Sequence, residues 1–304
     1  MPSMCVKYLF VVLLSLSLGG CFLNPFWGDA EKKEEPETNE QLLYRSAQSS
    51  LRAGNYRDAI SKLEALEARF PFGRYAEQAQ LELIYAHYSS FDHEAARSAA
   101  DRFIRLHPQH PSVDYAFYLK GLAAFNKNRG LLDRIAGAEA YKRDMSSARQ
   151  AFADFSQLLV RFPESQYAPD ARQRMIYLRN LLAASEVSIA HYYMRRGALV
   201  AAENRARHVV EGFEGSDSVD DALAILVEVN YLLGLEDAAN DALKVLSRNF
   251  PDYEAFDKNG NFVFQQSIRN RDRSWTNMIS FGLLDRPKVP PPIKIQTTDD
   301  KPLS

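Results

Sequence analysis

Cysteine, histidine and the acidic residues decide what chemistry this chain could carry out. It has two cysteines and six histidines in 304 residues. The histidines are scattered, apart from His107 and His110, which fall in a turn with Pro108 and Pro111. Zinc sites need three or four ligands in a converging set, and no cysteine or carboxylate cluster adjoins this pair in the sequence. Neither a Gly-x-Ser-x-Gly elbow nor a Gly-x-x-x-x-Gly-Lys phosphate loop occurs. Asp and Glu total 39, but acidic residues on exposed helices mainly serve solvation and local pairing. The expectation is a protein with no catalytic residues, no metal and no cofactor.

One thiol remains to be explained. Lys7 gives a positive start, and Tyr8 to Leu18 form an apolar run. That run is too short to cross a bilayer, which needs about 20 residues. Residues 1–20 therefore read as a signal peptide, starting at Met1 or Met4. The stretch Leu18-Gly19-Gly20-Cys21 resembles the lipobox of bacterial lipoproteins, in which the thiol is acylated and cleavage makes the cysteine the new N-terminus. Cys5 lies in the part to be removed, so the mature chain keeps a lone cysteine that cannot form an internal disulfide. Lipidation of Cys21 gives that thiol a use. Residue 22 is Phe rather than Asp; by resemblance to lipoproteins with enterobacteria-like sorting, this implies transfer to the outer membrane.

The elements that follow are helical and repeated. Residues 21–40 are an acidic tether without helical period, carrying Pro25 and Pro36. At ~3.3 Å per residue it could lift the body roughly 60 Å from the lipid. From residue 41 to about 254, one pattern recurs: Gly, an aromatic or Leu two residues on, Ala three later, apolar residues four and seven further, then Pro. The copies are Gly54-Tyr56-Ala59-Leu63-Leu66-Pro71; His93-Ala96-Ala100-Phe103-Pro108, without the Gly; and Ala151-Phe155-Leu158-Pro163. Two more are Gly197-Leu199-Ala202-Ala206-Val209, with Glu214 replacing Pro, and Gly234-Glu236-Ala239-Leu243-Leu246-Pro251. Small residues let paired helices approach, and large ones fill the groove of the next pair. The pattern predicts an all-α, tetratricopeptide-type array of about five helix hairpins behind a lipidated tether.

Spacing locates the irregularities. The interval from Pro108 to Pro163 is too long, which places an insertion at about 127–144, with Leu131, Leu132 and Ile135 suggesting local order. Ala168 to Arg195 lacks any breaker and predicts an unusually long helix. Residues 255–304 are a C-terminal extension. Trp275, Met278, Ile279 and Leu283 have helical spacing that could cap the last repeat, and Pro287 and Pro290 to Pro292 open a disordered end. A net charge of -2 argues against a nucleic-acid partner.

Several stretches go beyond a generic repeat: Gly54-Asn55-Tyr56-Arg57-Asp58-Ala59-Ile60, Arg69-Phe70-Pro71-Phe72-Gly73-Arg74-Tyr75, Leu83-Ile84-Tyr85-Ala86-His87-Tyr88, and Ala190-His191-Tyr192-Tyr193-Met194-Arg195-Arg196-Gly197-Ala198. Together they resemble the BamD family, lipoproteins of the β-barrel assembly machinery. The resemblance covers residues 5 to about 250. It implies a body on the periplasmic side of the outer membrane that helps outer-membrane proteins fold and insert. Its implied partners are BamA, BamC- and BamE-like subunits, and unfolded outer-membrane β-barrel proteins. By the same resemblance, Arg205 and Arg196 face BamA, while Arg57, Phe70, Phe72 and Gly73 face substrate. Phe70 stands where the family often has Tyr, so a hydroxyl contact is not carried over there. The competing reading is another periplasmic repeat lipoprotein, acting as an adaptor for cell-wall enzymes.

Overall fold

The computed structural model describes residues 40–127, 141, 144–264 and 292–293. Among them are ten helices that pair as five antiparallel hairpins, which is the repeat array expected from the sequence. They are α1 (Glu40–Arg52) with α2 (Tyr56–Arg69), α3 (Ala76–Ser89) with α4 (His93–Leu106), and α5 (Val113–Asn126) with α6 (Ser146–Arg161). The last two pairs are α7 (Ala168–Arg195) with α8 (Leu199–Gly212) and α9 (Val219–Leu232) with α10 (Glu236–Asn249). Each helix packs on the next, and the first helices of neighbouring hairpins also touch, α3 on α5 and α7 on α9. These contacts line up first helices along one side of the array, its inner face.

Local rules explain the boundaries. The Asn55 side chain accepts from the Asp58 N–H, and Asp92 from the Ala95 N–H, which caps α2 and α4. In the turns between paired helices, Gly54, Gly197 and Gly234 take φ of 71°, 74° and 75°. The second hairpin has no glycine there, and Phe91 adopts the same left-handed turn at φ 65°. A side chain in that region is strained. Phe70, His107, Phe162 and Phe250 each precede a proline and leave the helical region, ending the second helix of their hairpins. Phe213 leaves the helical region in the same way before Glu214, where proline is missing.

Packing follows the pattern of small and large residues. Ala59, Ala96, Ala151, Ala202 and Ala206 are fully buried, and Phe103, Phe155, Leu158 and Leu246 fill the space between hairpins. At Gly121 a Cβ would run into the Phe155 ring, so α5 and α6 meet at a distance only glycine permits. The 28-residue α7 has two jobs. Its first half, with Ala171, Leu178 and Leu182, completes the core of the third hairpin. Its second half, from Ala183 through Val187 and Ala190 to Met194, starts the core shared with α8 and α9.

Two expectations need correction. Glu40, assigned to the tether, is the first residue of α1. After α10, the described residues cap the array without a helix. Phe262 and Phe264 are buried, Phe262 packs in the α9–α10 core, and Phe264 lies against Tyr231. Ile293, assigned to a disordered end, exchanges backbone hydrogen bonds with Phe262, both at 3.0 Å. The turn signal Asp257-Lys258-Asn259-Gly260 was present in the sequence: Asp257 accepts from the Asn259 and Asn261 N–H groups, and Gly260 has φ 78°. Cys21 with the tether to residue 39, most of the 127–144 insertion, and Trp275 to Leu283 lie outside the described residues.

Candidate protein-binding surfaces

The residues expected to face substrate divide between the two ends of α2. Arg57 is exposed in its first turn, where a cation opposes the helix dipole. Phe70, Phe72 and Gly73 lie past its C-terminus, about 20 Å away at ~1.5 Å rise per residue. There the Phe72 ring is 100% exposed, beside Phe70, which packs on the first core. A bare aromatic ring next to a rigid core is costly to leave in water and suits a binding surface. The turn itself is tied back: the Phe70 carbonyl accepts from the Gly73 N–H at 3.0 Å, and Glu40 accepts from the Tyr75 N–H at 2.8 Å.

Sequence reading missed a third feature on the inner face. Between α3, α5 and the turn before α7 lies a cavity of about 260 Å³ lined by Gln78, Glu82, Tyr85, Ser112, Tyr115 and Tyr167. Tyr115 and Tyr167 have ring centroids 5.4 Å apart, and burial pushes both phenols above their ordinary value. One oxygen of Glu82 accepts from Tyr44, Gln48 and Gln78 at 2.7, 2.9 and 3.0 Å. Its other oxygen is buried with no hydrogen-bond partner among the described residues. A buried carboxylate oxygen in that position favours a donor supplied by something bound. The tyrosines on the first helices carried this signal, but it required knowing that those helices face inward.

The residues expected to face BamA sit on the fourth hairpin. Arg196 caps the C-terminus of α7, is exposed, and stacks over the Tyr192 ring with its guanidinium carbon 5.4 Å from the centroid. Arg205 is half-exposed, and its Nη1 lies 2.8 Å from Oε2 of Glu186, a buried carboxylate on α7. Arg149 on α6 reaches the other oxygen of Glu186 at 3.3 Å. The structure does not bring Arg196 into contact with Arg205; it stands about 15 Å along α7 from Glu186 at ~1.5 Å per residue.

His107 and His110 approach a single carboxylate, Glu77, at 3.3 and 3.6 Å. Among the described residues, no group of three or more His, Cys, Asp or Glu has the geometry to hold a metal. No described helix is long and apolar enough to cross a membrane.

A family model described as outer membrane lipoprotein, YfiO, matches residues 36–246. Over 247 residues the chain is 40% identical to a protein of Neisseria meningitidis serogroup A named outer membrane protein assembly factor BamD, covering 81% of this chain and 91% of that one. This chain belongs to the BamD family. A Vibrio cholerae BamD is 37% identical over 238 residues, 78% of this chain and 96% of that one. A Xylella fastidiosa BamD is 38% identical over 225 residues, 74% and 77% of the two chains. Among solved structures, a tetratricopeptide repeat protein of Parabacteroides merdae matches at TM-score 0.33 and 14% identity, covering 70% of this chain and 67% of that one. Membership of the BamD family thus rests on the sequence from before α1 to within α10.

Proposed function

We propose that this protein is an outer-membrane protein assembly factor, a non-catalytic lipoprotein scaffold of the β-barrel assembly complex. The observation that carries this reading is its identity with the BamD relatives over nearly their whole length. The lipid on Cys21 anchors it to the inner leaflet, with the repeats in the periplasm. Dual or triple acylation suffices for stable anchoring at about 0.8 kcal/mol per buried methylene.

The two ends of the array have different tasks in this reading. The first hairpins take the C-terminal signal of unfolded barrel proteins, through Arg57, the exposed Phe72 with its Phe70–Gly73 turn, and the tyrosine-lined cavity with the free Glu82 oxygen. Stacking faces and a few fixed polar atoms suit extended, aromatic-bearing peptides of varied sequence. The fourth hairpin holds the periplasmic part of BamA through Arg205 and Arg196, and BamC- and BamE-like subunits complete the complex.

Co-purification from detergent-solubilised outer membranes tests the assignment. The tagged chain should bring down a BamA-like barrel subunit, and a Cys21→Ser variant should be lost from the membrane fraction. Recovery of cell-wall enzymes without any barrel subunit would instead favour the adaptor reading.

A further inference from the structure

The joint between the two halves of α7 is organised by one buried carboxylate. Glu186 follows directly on the handover from the third core to the fourth, and its side chain is 5% exposed. It has two cationic partners, from two different hairpins. Arg149 comes from the first turn of α6 and Arg205 from the middle of α8, each bound to its own oxygen of Glu186. Both guanidiniums remain accessible, with side chains 56% and 43% exposed. A buried ion pair would be complete with one arginine; here a second cation is added, so the two arginines and Glu186 together carry one excess positive charge, with the exposed Asp144 as an acidic neighbour that acts on Arg149.

We propose that Arg149 and Arg205, spaced by Glu186, form a single two-arginine seat for a surface carboxylate of the protein partner. The proposal rests on the reading that Arg205 faces that partner, and adds Arg149 as a second contact and Glu186 as the positioning residue. A guanidinium has five N–H donors in a planar fork, and contact with one Glu186 oxygen leaves most of them for other acceptors. Because both forks grip the same carboxylate, a second carboxylate arriving from solvent meets both at once. Their rotamers are ordered before binding, which lowers the entropic cost of association. The seat also lies across α6, α7 and α8, so a bound partner would brace the joint between the halves of the array.

The test uses the full-length lipoprotein in detergent and the purified periplasmic region of the BamA-like subunit, titrated at two salt concentrations. Arg149→Ala and Arg205→Ala should each weaken binding about tenfold, and the double variant only about 20- to 30-fold, because one partner carboxylate serves both arginines. In a Glu186→Gln background the two losses should become independent; a purely structural Glu186 would lower the unfolding midpoint without changing that coupling. Arg149→Lys keeps a charge for Glu186 and guards against misfolding, yet should still lose affinity because an ammonium cannot fork. Wild-type affinity for Arg149→Ala or Arg149→Lys, with Arg205→Ala weakened, overturns the seat and leaves the role of Arg205 intact. Wild-type affinity for Arg205→Ala as well overturns that role too.

Discussion

The carboxylate of Glu40 accepts a hydrogen bond from the backbone N–H of Tyr75 at 2.8 Å, so the first residue of α1 holds the turn that displays Phe72. Gly73 is packed against the same carboxylate, and a Cβ there would displace it. Gly73→Ala should therefore free the Tyr75 amide and cost about 1.5–3 kcal/mol, the range of a hydrogen bond to a charged group. Hydrogen exchange reports this directly: the Tyr75 amide should lose protection in Gly73→Ala and in Glu40→Ala, but keep much of it in Glu40→Gln. Equal protection in all of them would mean that the turn holds itself.

The middle of the array depends on a buried ion network. Arg97 and Asp154 are paired between α4 and α6, with side chains 9% and 5% exposed, and Lys120 bridges Asp154 and Asp101 at 3.2 and 2.7 Å. Arg97 also donates to the Lys120 carbonyl at 3.2 Å. Asp154→Ala leaves a buried guanidinium with a single carbonyl acceptor and should destabilise the protein by about 3–5 kcal/mol. Substitution of the exposed pair member Lys244, whose contact with Asp241 is 3.6 Å, should change stability by under about 1 kcal/mol. Urea unfolding of the two variants measures the contrast, and similar losses would contradict it.

Stability should fall with acid in two stages. Burial pushes the imidazoles of His93 and His191 below their ordinary value, against the pull of Asp92 and Glu94 on His93 and of Asp221 on His191. The unfolded chain then binds more protons than the folded one just below the ordinary imidazole value of 6.5, so their contribution is complete above that pH and declines as pH drops through it. Asp58 is held below its ordinary range by hydrogen bonds from Ser50 and Lys62. At Asp170, burial works upward but is outweighed by hydrogen bonds from Arg174 and Tyr118, leaving a net depression. These carboxylates stabilise the fold above the unfolded value of 3.8, and that stabilisation disappears as pH falls further. The urea midpoint should decline between pH 7 and 5 and again below about 4. His191→Gln should flatten the first decline; an unchanged slope would remove His191 from the account.

The array was legible because its rules are local and periodic. Alanine at Ala59, Ala202 and Ala239, glycine in the turns, and proline after Phe70 and Phe250 each state a requirement within one hairpin. The two functions of α7 were half legible: the missing breaker gave its length, whereas its handover between cores depends on neighbours from two other hairpins. The same limit hid Glu186, an acidic residue in a helix that reads as solvated until Arg149 and Arg205 arrive from α6 and α8. The cap formed by Phe262, Phe264 and Ile293 has no period, only a turn signal at Asp257 to Gly260, so no hydrophobic pattern marks it in the sequence. Phe91 was visible as a missing glycine, but its left-handed backbone and 83% exposure were not.

In the proposed function, where Arg57 and Phe72 both meet substrate, their separation sets how long a substrate peptide must be. They stand at opposite ends of α2, about 20 Å apart at ~1.5 Å per helical residue. An extended chain covers that distance in about six residues at ~3.3 Å each. A C-terminal peptide of about ten residues from a barrel protein, with an aromatic end, can engage both contacts, whereas one of about four residues reaches only one. Arg57→Glu should therefore weaken the long peptide about tenfold and leave the short one unchanged, while Phe72→Ala weakens both. Fluorescence anisotropy with the two labelled peptides and three proteins gives the comparison. If Arg57→Glu weakened the short peptide as much as the long one, a single peptide could not be spanning α2, and Arg57 would be acting through the general charge of this end of the array.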